Sequence, residues 1–292
     1  MQPFEQLGLI GCGLMGGSFA LALKQAGLVK RVVGYSKSPS TTERARQLGV
    51  IDVAAPSALL AAAGADLVLL AVPVAATEAT LKSIKHLVTP EMMIMDVGST
   101  KVDVVQAAHT ALRDQIGSFV PAHPIAGKEV SGVEHSDARL YHGAQVILTP
   151  TERTIAGHLH KAQALWELLG CRVRSMSPQD HDGAFATVSH LPHLLAFAMM
   201  QSVLSQPNAD EMLSLAGPGF RDFTRIAAGD PKMWRDVLLA NREQVLAQSQ
   251  QFQQALQQLQ ALIQAGDGQG LEDHLTLASA ARAHWRPGAP RR

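Results

Sequence analysis

The stretch GLIGCGLMGGSFALALKQAG, residues 8–27, limits the possible folds of this chain more than any other. An apolar run ends at Gly11, Gly13 and Gly16, and an Ala/Leu-rich segment follows at once. In a strand–turn–helix unit of this kind the first glycine makes the turn and the second lets backbone approach a pyrophosphate. The third lets the helix pack against the strand. The spacing alone is common, and a purely structural turn also satisfies it. The context favours a dinucleotide loop, because a strand-like run precedes it, a helix-like run follows, and a repeating series of both lies beyond. Gly11, Gly13, Leu14, Met15 and Gly16 are therefore assigned to the cofactor loop, with Val72, at the end of ADLVLLAVP, on the same crevice.

From residue 6 to about 176, apolar runs alternate with Ala-rich helical stretches. The runs are QLGLI, RVVGYS, ADLVLLAVP, MMIMDVGS, SFVPAHP, AQVILTP and CRVRSM. Their nearly continuous hydrophobicity is that of parallel strands covered on both faces, which predicts a doubly wound α/β domain. After SPQD, residues 177–180, the texture becomes helical. DHDGAFATVSHLPHLLAFAMMQSVLS reads as a long buried helix that Pro192 must kink or open. NADEMLSLA, GFRDFTRIAA and a long Gln-rich segment follow. The reading is thus a Rossmann-type domain over 1–176 and a helical domain over 177–292. Phe252, Leu256, Leu259 and Ile263 share one helix face, either for packing within the helical domain or as a seam against a second subunit. The tail HWRPGAPRR is expected to fray.

Bulk properties exclude several classes. Hydrophobic residues make up 47% and charged ones 17%, which is the balance of a folded chain rather than a disordered one. The formal net charge is zero, so no global field draws in nucleic acid or an anionic membrane. MQPFEQ has no signal-peptide character, and no uninterrupted apolar stretch is long enough to span a bilayer. Cys12 and Cys171 show neither metal-ligand spacing nor a disulfide framework. A soluble, cytoplasmic, metal-free protein acting on a small molecule is expected.

The end of the second strand decides which dinucleotide fits. An acid there would accept hydrogen bonds from the adenosine ribose, whereas this chain has Ser36, Lys37 and Ser38. A lysine flanked by hydroxyls attracts a 2′-phosphate, so NADP is favoured over NAD. The alternative is that Lys37 is a solvated surface lysine and both cofactors bind.

Three further stretches fall outside the core pattern. In DVGSTK, Ser99 and Lys101 follow a strand and so face the ligand crevice, although Ser99 could instead cap a helix. In AHPIAGKEVSG, His123 sits on a constrained turn, with Glu129 close by. Imidazole is the side chain best suited to exchanging a proton with a hydroxyl near neutral pH. In GPGFRDFTRIAAGDPKMWRD, Arg221 and Arg225 are four residues apart on one helix face. That pairing an anionic ligand would relieve better than Asp222, unless the face is merely solvated.

Taken in order, GCGLMGGS, DVGSTK, HPIAGKE, SHLPH and GFRDFTRIAAGDPKMW resemble the prephenate/arogenate dehydrogenase family of tyrosine biosynthesis, over essentially residues 6–285. The resemblance implies a Rossmann-type domain followed by a helical dimerisation domain, and hence a homodimer. It implies oxidation of a cyclohexadienol at its ring hydroxyl, hydride transfer to a nicotinamide and loss of the ring carboxylate as CO2. His123 would polarise or deprotonate the hydroxyl, and Ser99 would hydrogen-bond near it and help orient the histidine. Arg225 would anchor a substrate carboxylate, Glu129 would line the entrance and His190 the pocket, while Trp234 would support the pocket or simply pack. SKS departs from the acidic residue frequent in the family, which puts an NAD preference in doubt. No fused domain is expected at either end, so any tyrosine feedback would act at the active site. Two other readings stay open. A β-hydroxyacid dehydrogenase would want a lysine where DHDGAFATVSHLPH offers only histidines, and an NADP-sensing protein would not need His123 or Arg225.

Overall fold

Strand β1, Phe4–Ile10, is buried without interruption from Leu7 to Ile10, which only the middle of a sheet covered on both sides allows. In the computed structural model, which describes residues 1–286, β1 pairs in parallel with β2 (Val29–Tyr35) and with β4 (Leu67–Leu70). β3 (Val53–Ala54), β5 (Met93–Asp96) and β6 (Phe119–Val120) complete a sheet of order β3-β2-β1-β4-β5-β6. The order reverses between β1 and β4, which opens a crevice at the carboxyl ends of these strands. Along β4 the faces alternate: Leu67 and Leu69 join one buried cluster, Val68 and Leu70 the other. α1 (Leu14–Gln25) contributes to the first cluster. α3 (Ala58–Ala62), α4 (Thr77–Ile84) and α5 (Val102–Leu112) contribute to the second. α2 (Pro39–Gln47) follows β2.

The expected runs do not all enter this sheet. SFVPAHP divides at Pro121, which has no N–H to continue a ladder. Before it β6 ends the parallel sheet. After it β7 (Ala122–Ile125) starts a second sheet with β8 (Gln145–Leu148) and β9 (Arg172–Ser175). There β7 is antiparallel to β8 and β8 parallel to β9, so the expectation of parallel strands throughout is corrected. α6 (Ala156–Leu168) joins β8 to β9 and buries Trp166 against Phe19 and Tyr141. Two-residue β3 is too short to show a period and was not expected.

Beyond β9 every element among the described residues is helical. α7 (Pro178–Phe185), a π-turn over Ala186–His190 and α8 (Leu191–Leu204) form one continuous stretch. Pro192 lies in the first turn of α8, and the wide turn before it absorbs the missing hydrogen bond. Pro178–Leu204 is long and apolar enough, by length and composition alone, to cross a bilayer, although polar residues interrupt its apolar run. His181, Asp182 and His190 are nevertheless buried within it among polar partners of the same chain. α9 (Ala209–Ser214), α10 (Pro218–Thr224), α11 (Pro231–Ala240), α12 (Arg242–Ala265) and α13 (Gly268–His284) follow.

By contact the chain forms compact units Met1–Arg242 and Glu243–Arg292, whereas the change of texture expected at 176/177 falls between β9 and α7. The reason is packing: α7 lies on α5, and α11 lies on the short turn Val74–Ala76 after β4, so the first helices belong with the sheet. In the second unit Phe252, Leu256 and Ile263 are exposed. Of the tail expected to fray, residues 287–292 lie outside the described residues.

Candidate active site

The glycine loop turns at Gly11, whose φ of +104° favours glycine and where a Cβ would sit 2.2 Å from the Ala71 carbonyl oxygen. A Cβ on Gly16 would lie 2.1 Å from the Gly11 carbonyl oxygen, so helix and strand meet there without room for a side chain. Gly13 differs: it is the N-cap of α1, and nothing lies within 4 Å of where its Cβ would be. No side chain caps α1 and no acid occupies its first turn, so its leading N–H groups are open to an anion. Leu14 is buried, and the Met15 carbonyl accepts from the Tyr141 hydroxyl at 2.7 Å. Val72 is half-buried against the second cluster. These residues fit a pyrophosphate held by backbone rather than by side chains.

At the end of β2, the Ser36 hydroxyl accepts from the Cys12 N–H at 2.8 Å, and the Ser36 N–H donates to the Thr42 hydroxyl. Ser36 therefore braces the glycine loop. Lys37 is exposed, and Ser38 stands at the N-cap of α2 with its hydroxyl 2.8 Å from that of Ser40. A pocket of about 320 Å³ is lined here by Tyr35, Ser36, Lys37, Thr42 and Glu43 among others. Glu43 was not expected at this place because it lies inside α2. Hydrogen bonds from Arg46 and Gln47 occupy its carboxylate and hold its pKa well below the usual carboxylate range.

At the end of β5, Asp96 accepts from the Ala122 N–H at 3.0 Å and pairs with the buried Lys101 ammonium. Lys101 also donates to the Ala122 carbonyl at 2.9 Å. Expected beside the cofactor, Lys101 is instead sealed between β5 and β7, where it pins the residue before His123. The His123 Nδ1 lies 2.8 Å from His181 Nε2, and His181 Nδ1 lies 2.7 Å from an Asp182 oxygen. Asp182 accepts in addition from the N–H groups of Lys101 and Val102, capping α5. Phe185 stacks on His181 and tilts over His123.

Ser99 is half-buried, and the N-cap of α5 is Lys101, so Ser99 is not the capping serine. Among the described residues the hydrogen bond that orients His123 comes from His181, not from Ser99. Burial above all, with His181, Lys101 and His190 nearby, pushes the His123 pKa well below the usual imidazole value. Burial also lowers His181, and it lowers His190 to about 4. His190 meets Asn241 Nδ2 at 3.1 Å through Nδ1, while its buried Nε2 has no hydrogen-bond partner among the described residues. Trp234 is buried, stacked on by His193 and met edge-on by His190.

The arginines do not form the expected pair. α10 ends at Thr224 and Arg225 opens a tighter 3-10 turn, which breaks the shared face. Arg225 is ion-paired with Glu129, and Arg221 with its neighbour Asp222 at 3.2 Å. Both pairs are exposed and so contribute little, which leaves Arg225 available to a stronger anion at small cost.

His181, Asp182 and Asn241 were missed as site residues. One signal was present: the acid–histidine–acid run DHD opens an otherwise apolar helix, and a charge buried there needs a partner.

A helix N-terminus open to pyrophosphate at the carboxyl edge of a parallel sheet, with a neutral buried imidazole beside the end of β5, defines a nicotinamide dinucleotide-dependent dehydrogenase. Residues 19–175 match the nucleotide-binding domain of prephenate dehydrogenase, and residues 177–277 match its dimerization domain. The chain belongs to the prephenate dehydrogenase family. It is 34% identical to prephenate dehydrogenase of Bacillus subtilis, over 97% of this chain and 76% of that one. It is also 34% identical to cyclohexadienyl dehydrogenase of Zymomonas mobilis, over 97% and 96%. Prephenate dehydrogenase of Aquifex aeolicus, solved with hydroxyphenyl propionate and NAD+, is 38% identical with a TM-score of 0.89, covering 97% of this chain and 98% of that one.

Proposed function

We propose that this chain oxidatively decarboxylates prephenate, arogenate or both in tyrosine biosynthesis, with NADP+ favoured over NAD+ as hydride acceptor. The observation that carries this reading is His123, buried and neutral, with Nδ1 engaged by His181 and no hydrogen bond to Nε2 among the described residues. A base must be unprotonated before the step, and this imidazole is. His123 takes the proton of the ring hydroxyl as the C–H electron pair leaves as hydride and the C=O bond forms. When bound, the nicotinamide ring accepts that hydride. Loss of CO2 then returns an electron pair to the ring, and the proton goes back to the oxygen as the ring becomes aromatic. Alignment and one base suffice for a step made so strongly downhill.

Arg225 receives a substrate carboxylate in exchange for Glu129, which stands at the entrance. His190 and Ser99 line the pocket, and the exposed Arg221 is a second arginine for the substrate's anionic groups. Support for NADP is the exposed Lys37 on the rim of the 320 Å³ pocket, where the one lining carboxylate, Glu43, is already taken. The exposed Phe252, Leu256 and Ile263 support a homodimer through α12. The two buried free thiols suit the reducing cytoplasm.

The test offers prephenate and arogenate, each with NAD+ and NADP+, and follows the near-ultraviolet absorbance of reduced nicotinamide. Reduction is expected, fastest with NADP+. Folded protein that binds dinucleotide and reduces none in all four mixtures overturns the reading.

A further inference from the structure

The acceptors and donors around His123 can be counted one by one. Asp182 takes backbone N–H groups on both oxygens, from Lys101 at 2.8 Å and from Val102 at 2.9 Å. It therefore faces His181 as an acceptor, and the proton of His181 is on Nδ1. A neutral His181 then has only a lone pair on Nε2, and that nitrogen lies 2.8 Å from His123 Nδ1. So the proton of His123 is on Nδ1 as well. Its Nε2 is left with a lone pair.

The geometry points to His181 and Asp182 as positioning residues that set the tautomer of His123, turning its Nε2 into a proton acceptor. This rests on the reading of His123 as the base of the proposed dehydrogenase. Left to itself, a histidine side chain in water favours the Nε2–H form, which would present a donor to the substrate hydroxyl. The relay reverses that preference, and it meets the charge that forms: the imidazolium of His123 donates to His181, which is backed by a carboxylate. The site also holds a contrasting case. His190 accepts on Nδ1 from the Asn241 amide, so its proton is on Nε2. The Asn241 amide also donates to the Asp182 carbonyl at 2.8 Å, so one cluster holds two histidines in opposite forms.

The test uses the full chain with 15N-labelled histidine. Long-range 1H–15N spectra of the parent, with the His123 signals identified by their loss in His123→Asn, read the tautomer directly. The Nδ1–H form is expected, and the Nε2–H form overturns the proposal. Kinetics supply the second reading. His181→Leu keeps the volume and removes the acceptor, and kcat is expected to fall by about a hundredfold or more with KM changed less than roughly threefold. His181→Gln returns an acceptor oxygen near the lost nitrogen, and at least about tenfold of that loss is expected back. Equal activities of the Leu and Gln variants overturn the proposal, because packing alone would favour Leu. Where His181→Leu does not fold, the spectrum of the parent decides. A parent inactive on every substrate sinks the functional reading but leaves the tautomer measurement standing.

Discussion

His123 is a base by virtue of what surrounds it. An imidazole with the ordinary pKa of 6.5 would lose its function as pH falls through that value, whereas burial here favours the neutral form. Protonation inactivates the base, and a lowered pKa moves that loss to lower pH. The acid limb of kcat/KM against pH is therefore expected well below 6.5, and a midpoint at or above 6.5 would contradict the assignment. His123 was legible because HPIAG follows an apolar run and a proline fixes its turn. Its partner was not, because His181 lies 58 residues further along and only the fold brings the two rings together. Lys101 was misread for the same reason. A lysine after a strand end looks exposed until Asp96 and Ala122 are seen to enclose it.

The glycine loop makes a prediction that belongs to the strand–helix unit. Gly16→Ala forces a methyl against the Gly11 carbonyl oxygen, which no side-chain motion can relieve, so about 2 kcal/mol or more of stability is expected to be lost. Gly13→Ala meets nothing within 4 Å and should leave the unfolding temperature of the ligand-free protein close to that of the parent. The same Gly13 variant should weaken dinucleotide binding, since the space it enters is where backbone faces the phosphates. Thermal unfolding and a dinucleotide titration of both variants separate packing from binding, and equal melting losses would refute the distinction. Strand runs were largely legible at this scale. Which sheet a strand joins was not, because periodicity reports burial and says nothing of neighbours; Pro121 was the one local mark of the change.

For the molecule as a whole, Phe252, Leu256 and Ile263 leave an apolar stripe open along α12. Sedimentation is expected to give twice the chain mass. Leu256→Glu, a change at an exposed site with little consequence for the fold itself, should return the single-chain mass. A parent that sediments as one chain at micromolar concentration would refute the stripe as an interface. Composition changes at 177, where the matches to the two family domains also meet, whereas the packing of α7 and α11 on sheet elements, which no composition reveals, joins those helices to the first compact unit. The position of Asp182 has a consequence for how the protein matures. The phosphate-binding turn is made of residues that leave the ribosome early, whereas the carboxylate behind His181 arrives after the last strand and must then dock on the start of α5. A chain stalled between those events can hold nucleotide and still turn nothing over, so retention on a nucleotide column counts molecules rather than working enzyme.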